Sequence, residues 1–571
     1  MASSFVWRSR ILLFGILLFS LVLGGKLFLV QVVHGDVYGN EAIRQYATPS
    51  SDIYERGTIY FTRKDGELVS AATQTLGFKL AIHPIKVVDA EVAYQKINAI
   101  KAINHDEFIT KASKDNDPYE DVIGRLTKEE ADAITALKLP GVNIFKEKWR
   151  FYPGGTLASH ALGFVGYKGD DLGGRYGLER QYDEVLRRGK NDPYLNVFAE
   201  VFSNINNTFF NDGEGREGDV VTTIEPMVQA SFEKKIAEVK ERYGVDSVGG
   251  IIMNPKDGSI YALGVLPSFD PNDFSKVKKT STFSNPLVEN VLEFGSVVKP
   301  LVMAAGINAG VVTADTKYND KGSVIVEKKE IFNFDKKARG DGVTMQDVLN
   351  QSLNTGMVFI EQKLGRKNLR EYLLGYGIKD KTGIDLPNET SGLVSNLNSP
   401  RELEFANASF GQGIALTPVE LVRALASLAN GGVLVTPHLV KSIEYDDGSS
   451  KEFTYDTVPT KISKTTSEEI TRMLVTVMDK SLNTGESKLE HFSVAAKTGT
   501  AQVANNVSGG YYEDRNTHSF FGYFPAYDPQ FIVFLYAVNP NGVQYAAQTW
   551  VSPFLDITKF LLNYYQVPPD R

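Results

Sequence analysis

The sequence predicts a mixed α/β (α+β) protein whose C-terminal domain is a five-stranded antiparallel sheet flanked by helices. Short apolar runs bounded by turn residues stand at both ends of the C-terminal half, with helical patterns between them. A 23-residue apolar run near the N-terminus predicts one transmembrane helix. We therefore divide the chain into a cytoplasmic tail (1–10), a transmembrane helix (11–33), a second domain (34–217) and the C-terminal domain (218–571).

The apolar run at 11–33 is interrupted only by polar residues such as Lys26. Its length is enough for about 30 Å of hydrocarbon, with the lysine reaching the interface. Arg8 and Arg10 precede it, so the N-terminus is expected in the cytoplasm and the later domains on the periplasmic or extracellular face. A cleaved signal peptide is the alternative. No small-residue cleavage pattern follows the run, which favours an uncleaved, single-pass anchor in the cytoplasmic membrane.

Composition excludes several classes of function. The formal charge of −8 gives no basic footprint for nucleic acid. The chain has no cysteine, and its 7 histidines lack metal-ligand spacing, so no disulfide, metal or cofactor is predicted. Residues 34–217 carry no group that suggests chemistry and are interpreted as a structural or docking domain. The segment 211–219, rich in Gly, Asp and Glu, predicts the boundary that follows it.

The predicted sheet takes strands from both ends of the C-terminal domain. A hairpin at 249–265 with a turn at 255–258 opens the domain, and three more strands close it, at 492–503, 518–524 and 531–538. Helical patterns between these strands include 296–309 and 418–430. One antiparallel sheet that joins the two ends of the domain, with helices packed on it, is the simplest arrangement.

Three short motifs follow one another in this domain: Ser296-Val-Val-Lys299, Ser352-Leu-Asn354 and Lys497-Thr-Gly499. A serine that attacks a carbonyl needs a base, a proton relay and a clamp for an anionic substrate, and the three motifs supply these groups. Each motif also has further copies in the chain: Ser231 with Lys234, Ser275 with Lys278, Ser481 with Asn483, and Lys381 with Gly383. Local context therefore has to identify the working copies.

Ser296 is the predicted nucleophile, because it follows Gly295 and begins an apolar helical pattern in which Pro300 is tolerated. Residues three apart share a helix face, so Lys299 is within reach of the serine hydroxyl. Lys299 can take the proton only when it is neutral. Burial and a second cation nearby, for which Lys497 is the candidate, both lower the pKa of a lysine.

The second and third motifs supply the remaining groups. Ser352 is predicted to relay a proton to the leaving amine, and Asn354 to hold Lys299 and the substrate amide. On an edge strand, Lys497 and Gly499 share one face, and the two flanking threonines share the other. Gly499 lets a substrate backbone approach the strand. The groups predicted to bind the substrate carboxylate are Lys497, Thr498 and Thr500, and the predicted oxyanion hole, typically worth a few kcal/mol, consists of the backbone N–H groups of Ser296 and Thr500.

With these motifs the chain resembles the class B penicillin-binding proteins, monofunctional peptidoglycan D,D-transpeptidases with one membrane span. Further matches are Arg56-Gly-Thr-Ile59, Gly174-Arg-Tyr-Gly-Leu-Glu179, Thr222-Thr-Ile-Glu-Pro226, Asn254-Pro-Lys-Asp-Gly258, Pro267-Ser-Phe-Asp-Pro-Asn272, Lys381-Thr-Gly-Ile-Asp-Leu-Pro387 and Ser409-Phe-Gly-Gln-Gly413. The chain departs from the family at two places. Phe294 stands where proline is usual, and residues 60–66, in the domain 34–217, differ from the family's usual sequence. Neither departure removes a catalytic group.

The resemblance implies a penicillin-binding-protein/β-lactamase-like transpeptidase domain after an elongated, dimerisation-type pedestal. It implies that Ser296 attacks a stem peptide ending in D-Ala-D-Ala, releases D-Ala and forms an acyl-enzyme that the amine of a neighbouring stem resolves. β-Lactams would acylate the same serine. The implied partner is a polytopic membrane glycosyltransferase of the SEDS type. Asn354 and the modest pedestal resemble the septal, division type more than the elongation type.

Three alternatives remain beside a septal transpeptidase. One is an elongation-type transpeptidase of the same family. Another is a hydrolase, either a β-lactamase or a D,D-carboxypeptidase, which would need an acidic group to activate water, and the sequence has none that is clearly placed for this. The last is a non-catalytic divisome scaffold.

Overall fold

The computed structural model describes residues 19, 23 and 26 and the ranges 55–115, 117–169, 171–188, 216–482, 489–505 and 510–571. The predicted tail 1–10 lies outside the described residues, as does the predicted transmembrane helix 11–33 apart from three positions. No helix within the described ranges is both long enough and apolar enough to cross a membrane. The anchor therefore stays a prediction.

The strands, in chain order, are β1 (Ile59–Thr62), β2 (Leu68–Ile82), β3 (Glu120–Leu126), β4 (Val142–Phe151), β5 (Val165–Lys168), β6 (Asp171–Gly174), β7 (Gly218–Thr222), β8 (Ser247–Met253), β9 (Ile260–Leu266), β10 (Lys317–Asp320), β11 (Ser323–Val326), β12 (Lys329–Phe332), β13 (Gly340–Thr344), β14 (Val433–Leu434), β15 (Val440–Tyr445), β16 (Ser450–Glu452), β17 (Val458–Pro459), β18 (Ala495–Ala504), β19 (Tyr511–Phe524) and β20 (Phe531–Val538).

The α-helices are α1 (Ala90–Asn98), α2 (His105–Ala112), α3 (Lys128–Ala136), α4 (Ser159–Leu162), α5 (Gly177–Gln181), α6 (Asp183–Leu186), α7 (Pro226–Tyr243), α8 (Pro286–Glu289), α9 (Lys299–Asn308), α10 (Met345–Asn350), α11 (Asn354–Leu364), α12 (Arg366–Gly375), α13 (Glu402–Ala408), α14 (Pro418–Ala429), α15 (Lys464–Val477) and α16 (Ala546–Tyr564). A 3₁₀ turn, Gly295–Val298, precedes α9.

The described chain forms two compact units, a small one of Gln74–Trp149 and a large one of Arg56–Thr73 with Arg150–Arg571. In the small unit, the later part of β2 pairs antiparallel with β3. Helices α1 to α3 contribute apolar residues to a core around Leu80 and Phe108. Each of these helices begins with a side-chain cap, which satisfies backbone N–H groups of its first turn.

The five-stranded sheet of the large unit has the order β18-β19-β20-β8-β9, and every neighbouring pair is antiparallel. The predicted sheet, which joins the two ends of the domain, is therefore confirmed. Successive side chains along its strands point alternately into two apolar cores. Phe521, Phe534 and Ile251 lie in one core, and Phe520 and Val533 lie in the other. Because both faces are buried, the strands read in sequence as continuous apolar runs.

The predicted domain boundary at residue 217 does not coincide with the division into compact units. Strands β1 and β7 lie on either side of that boundary in the sequence, yet they pair in parallel through Ile59 and Val220 within the large unit. Strand β15 pairs with β7 on its other side. A sequence-based boundary follows a change of composition, whereas strand pairing joins segments that are distant in the chain.

A buried ionic cluster holds the segments around β1 together in the large unit. Arg56 and Arg150 each donate to a different carboxylate oxygen of Glu179, both over 2.6 Å, and Tyr152 donates to the same carboxylate over 3.1 Å. Burial alone would raise the pKa of Glu179, but the two guanidinium groups outweigh it and hold this pKa below its ordinary value. The Glu179 carboxylate is therefore ionised at neutral pH although it is buried.

Candidate active site

The predicted nucleophile, Ser296, lies in the 3₁₀ turn Gly295–Val298, which continues directly into α9. The prediction of a helix that begins near this serine, with Pro300 in its first turn, is confirmed. Gly295 has a φ of 61°, and a Cβ at this position would lie 2.8 Å from the carbonyl oxygen of Thr500. Only glycine allows this left-handed conformation and this approach together.

Two further glycines enclose the nucleophile turn. A Cβ at Gly411 would lie 2.2 Å from the carbonyl oxygen of Gly295, and a Cβ at Gly499 would lie 2.4 Å from that of Phe294. Ser519 donates a hydrogen bond over 2.8 Å to the same Phe294 carbonyl. The space left by Gly499 is therefore occupied by the turn itself, and approach of a substrate backbone along the strand stays a prediction.

The third motif lies on β18, the edge strand of the sheet, as predicted. Register is regular from Ala495 to Gln502, so Lys497 and Gly499 are buried on one face while Thr498 and Thr500 are partly exposed on the other. The alternation predicted for this motif is thus present.

The two motif lysines converge on Ser352. Lys299 Nζ donates to the backbone oxygen of Ser352 over 2.7 Å and to Asn354 Oδ1 over 2.8 Å, and its distance to Ser352 Oγ is 3.3 Å. Lys497 Nζ donates to Ser352 Oγ over 3.1 Å and to the backbone oxygen of Thr498 over 3.0 Å. The hydroxyl of Ser352 is thus a bridge between two amines that are 198 positions apart in the sequence.

Both ammonium groups are buried without a compensating anion. Lys299 is 0% exposed and Lys497 is 2% exposed, and neither forms a salt bridge with any described carboxylate. Burial, and secondarily the charge of Lys497, holds the pKa of Lys299 well below its ordinary value. Burial also lowers the pKa of Lys497 to about 7. Lys299 is therefore suited to accept a proton at neutral pH.

Ser296 Oγ has no hydrogen-bond partner among the described residues, and Lys299 is instead engaged by the second motif. The predicted contact between base and nucleophile is therefore not a formed hydrogen bond. Such bonds often tighten only when substrate binds. Ser296 nevertheless lines one cleft of about 960 Å³ together with Ser352, Asn354, Lys497, Thr498 and Thr500. Its neighbour Gly295 lies against Thr500, which places the two predicted oxyanion donors on adjacent backbones.

The further motif copies lie in other surroundings. Ser231 is inside α7, Ser275 is on a short 3₁₀ turn, and Lys381 is in a loop, and none of the three lines the cleft. Ser481 is exposed on a π-helical turn at Met478–Leu482, and unlike the other copies it borders the cleft. Asn483 lies outside the described residues.

Sequence reasoning missed much of the cleft wall. Three segments that were not predicted line the cleft: 330–339, 407–412 and 544–547. Their lining residues include Glu330, Phe332, Asn333, Phe334, Lys336 and Arg339 in the first, Asn407, Phe410 and Gln412 in the second, and Gln544 and Tyr545 in the third. The glycines at 411 and 413 were a usable signal, because clustered glycine in a buried loop indicates close backbone approach. The 317–344 segment has a similar glycine pair, Gly340 and Gly342, but no other atom lies within 4 Å of a Cβ built at either, so this pair does not indicate close backbone approach.

Two family models match the chain: the penicillin-binding protein transpeptidase domain over residues 248–556 and the penicillin-binding protein dimerisation domain over 54–204. The chain is 30% identical to Stage V sporulation protein D of Bacillus subtilis, over 95% of this chain and 83% of that protein. It is 27% identical to a Mesostigma viride protein named peptidoglycan D,D-transpeptidase FtsI homolog, over 98% of this chain and 96% of that protein. A crystal structure of penicillin-binding protein 3 from Mycobacterium tuberculosis, complexed with aztreonam, has a TM-score of 0.68 at 22% identity, covering 91% of this chain and 98% of that chain.

Proposed function

The chain belongs to the class B penicillin-binding proteins, the peptidoglycan D,D-transpeptidases, and from this premise we propose that it cross-links stem peptides through an acyl-enzyme on Ser296. The convergence of Lys299 and Lys497 on Ser352, beside the cleft that Ser296 lines, carries the proposal. Two buried, uncompensated amines are costly to a fold, and perturbed titratable groups of this kind cluster at functional sites.

In the first step, the donor peptide lies along the free edge of β18, with its terminal carboxylate near Lys497 and the hydroxyls of Thr498 and Thr500. Ser296 Oγ attacks the carbonyl of the penultimate D-Ala while its proton passes to neutral Lys299. The negative charge that forms on the carbonyl oxygen is held by the backbone N–H groups of Ser296 and Thr500.

In the second step, the bond to the terminal D-Ala breaks and its amine takes a proton. Ser352 is placed to deliver that proton and to be reprotonated by Lys299, since its hydroxyl lies 3.3 Å from Lys299 Nζ. The released D-Ala leaves a Ser296 ester. An acceptor amine then attacks this ester, gives up its proton along the same route in reverse, and restores the Ser296 hydroxyl as the cross-link forms.

A hydrolase would use water in place of the acceptor amine and would need a carboxylate to activate it. The carboxylates that line the cleft are Glu330 and Glu513, and neither hydrogen-bonds to a motif residue among the described residues. This favours amine as the acceptor. Rapid, sustained turnover of a chromogenic cephalosporin by the purified protein would contradict the proposal, and a single stoichiometric reaction supports it.

We propose that β-lactams acylate Ser296, and labelling with a fluorescent penicillin tests this directly. Wild type is expected to gain one adduct by intact mass, located on the peptide that contains Ser296. The Ser296→Ala variant should show none, while the matched controls Ser231→Ala and Ser275→Ala should label like wild type. Labelling of Ser296→Ala, or a scaffold-like absence of labelling in wild type, would overturn the assignment.

For the cell, we propose a single-pass protein anchored by residues 11–33, with its catalytic domain outside the cytoplasmic membrane and a SEDS-type glycosyltransferase as partner. The apolar run, the preceding arginines and the family resemblance support this.

We further propose that the protein acts in septal wall synthesis. Imaging of a fluorescent fusion should show signal at division sites that is lost on deletion of 1–33. Signal along the lateral wall would instead favour an elongation role, and signal confined to sporulating cells would favour the role suggested by the relative named Stage V sporulation protein D.

A further inference from the structure

The side-chain amide of Asn354 is held at both ends. Its oxygen accepts from Lys299 Nζ over 2.8 Å, and its Nδ2 donates to the backbone carbonyl of Phe332 over 2.9 Å. A carbonyl can only accept, so the Phe332 contact fixes which way the amide faces. In the reversed orientation, the NH₂ group would face the lysine amine and the base would lose an acceptor.

The Phe332 carbonyl belongs to an insertion between α9 and α10 that forms one wall of the cleft. This insertion, residues 317–344, consists of two small antiparallel pairs, β10 with β13 and β11 with β12. Phe332 ends β12 and is partly exposed in the cleft. The position of its carbonyl therefore depends on how the insertion is attached to the rest of the domain.

The attachment is a buried carboxylate, Asp320, at the end of β10. It is 0% exposed and forms no salt bridge with any described residue. It accepts from four neutral donors: Gly322 N (3.1 Å), Asn333 Nδ2 (3.0 Å), Arg339 N (3.0 Å) and Thr355 Oγ1 (2.7 Å). The Arg339 guanidinium interacts with this carboxylate only from beyond salt-bridge distance. A buried carboxylate is costly unless its hydrogen bonds are complete, so all four donors are needed to hold Asp320 in place.

Two of these donors lie directly beside the groups that hold the base. Asn333 follows Phe332, and its Oδ1 accepts from Thr355 N over 3.2 Å. Thr355 follows Asn354 and is the second residue of α11, so the Asp320 carboxylate lies near a helix N-terminus, where negative charge is favoured. The insertion and the first turn of α11 are thus tied together on either side of the Asn354–Phe332 contact.

We propose that Asp320, Asn333 and Thr355 are positioning residues, which hold the Phe332 carbonyl against Asn354 and so keep the Asn354 amide oxygen on Lys299. The inference rests on the proposed function, because it assigns residues that orient that site. None of the three is needed to touch the reacting atoms.

Thr355 offers a matched pair of substitutions. Thr355→Val keeps the shape but removes the hydroxyl that bonds Asp320, whereas Thr355→Ser retains it. The readout is the acylation rate constant of the full chain at saturating penicillin, expressed per titrated active site, so that unfolded protein does not contribute. Thr355→Val is expected to lower this constant about 10-fold, and Thr355→Ser by less than about 3-fold, since loss of one hydrogen bond to a charged group is worth about a factor of ten or more.

A double-mutant cycle with Asn354→Ala separates positioning from a general structural role. If Thr355 acts through Asn354, then Thr355→Val should have almost no further effect on the rate constant in the Asn354→Ala background. An equal, additive loss in that background would overturn the proposal. So would a Thr355→Val protein that unfolds at a lower temperature but whose titrated sites react like those of wild type.

Further variants keep the test decisive. Ser323→Ala removes an exposed hydrogen bond to Glu330 in the same insertion without touching the Asp320 network, and it should react like wild type. If Thr355→Val does not fold, Asn333→Ala enters the same cycle with the same expected non-additivity. A wild type that is not acylated at Ser296 would overturn the proposed function itself, whereas equal rates for wild type, Thr355→Val and Asn333→Ala would overturn only this inference.

Discussion

Two buried clusters of basic side chains in the large unit differ in whether carboxylates among the described residues balance their positive charges. Around Glu179, two arginines are paired with carboxylates, Arg56 with Asp183 as well as Glu179, and the pKa of Glu179 stays below its ordinary value. Around Ser352, two lysines meet without an anion from the described part of the chain, and the pKa of each is lowered. Burial with a partner fixes a charge, while burial without one makes the proton available for transfer. The first arrangement stabilises the fold, and the second is the one to which we assign the proposed chemistry.

The comparison predicts its largest effect at the base. Lys299→Arg keeps the positive charge but cannot lose a proton at neutral pH, so acylation by penicillin should fall by about 10²–10⁴-fold, the usual contribution of a general base. Stopped-flow or gel-based labelling rates measure this. Lys381→Arg, in the loop copy of the third motif, is the control and should label normally. A Lys299→Arg rate within tenfold of wild type would show that the amine is not the base.

A large effect on stability is expected at the other cluster. Glu179→Gln leaves Arg150 buried without a described counter-charge and leaves Arg56 with only Asp183, so the free energy of unfolding should fall by about 3–5 kcal/mol. Denaturant titration measures the change. Glu371→Gln, which removes the exposed pair of Glu371 with Lys461, should cost far less. The acylation rate per titrated site should be unchanged in Glu179→Gln, and a large fall in it would mean that the two clusters are not independent.

In both clusters the contribution to stability should rise with pH, but it should do so over different pH ranges. Lys497 has a pKa of about 7 in the folded chain against an ordinary value of 10.5, so the unfolded chain holds the extra proton between these pH values. The free energy of unfolding of wild type, relative to Lys497→Met, should therefore rise with pH from about 7 to 10, by up to about 1.4 kcal/mol per unit. A flat difference between pH 7 and 9 would contradict the lowered pKa.

The pKa of Glu179 is lowered, so its contribution is complete above its ordinary value of 4.5 and is lost as pH falls through the folded value. The stability difference between wild type and Glu179→Gln should hence be constant over the range in which the lysine effect changes. The same unfolding series, extended to acid pH, measures both.

The smallest expected effect belongs to a neutral contact. Ser519→Ala removes the hydrogen bond to the Phe294 carbonyl behind the nucleophile turn and should cost about 1 kcal/mol of unfolding free energy. Thermal or denaturant unfolding detects this. A loss as large as that of Glu179→Gln would mean that the turn, rather than the ionic cluster, dominates the stability of this region.

Sequence alone predicted the sheet well, because a strand buried on both faces leaves a continuous apolar run, as at Phe531–Val538. It also selected Ser296 and Lys497 over their copies, because an apolar helix start and an edge strand are local patterns. Asn354 was also predicted to hold Lys299, and the structure has this hydrogen bond, but the second partner of the lysine, the backbone oxygen of Ser352, was not predicted. Ser352 has a φ of 54° and offers its backbone oxygen to the lysine, and neither fact follows from residue type.

The insertion 317–344 shows the other limit of sequence reasoning. The turn between β11 and β12 consists of Glu327 and Lys328, which both have positive φ, without the glycine or asparagine that usually marks such a turn. Asp320 and Asn333 are ordinary loop residues until pairing brings them together under Thr355. Networks of this kind depend on contacts between distant segments, which a pattern of residue types does not encode.

The close fit of the nucleophile turn between Gly411 and Gly499 limits how this protein can change under selection. A methyl group at either position would meet the backbone of the nucleophile turn, and at Gly499 the Ser519 side chain as well, so Ser296 would shift. Substitutions that exclude an inhibitor by reshaping this spot would therefore also impair wall synthesis. Escape is left to the more adaptable rim of the cleft, and a compound that draws its affinity from the turn that carries Ser296 would be difficult to evade.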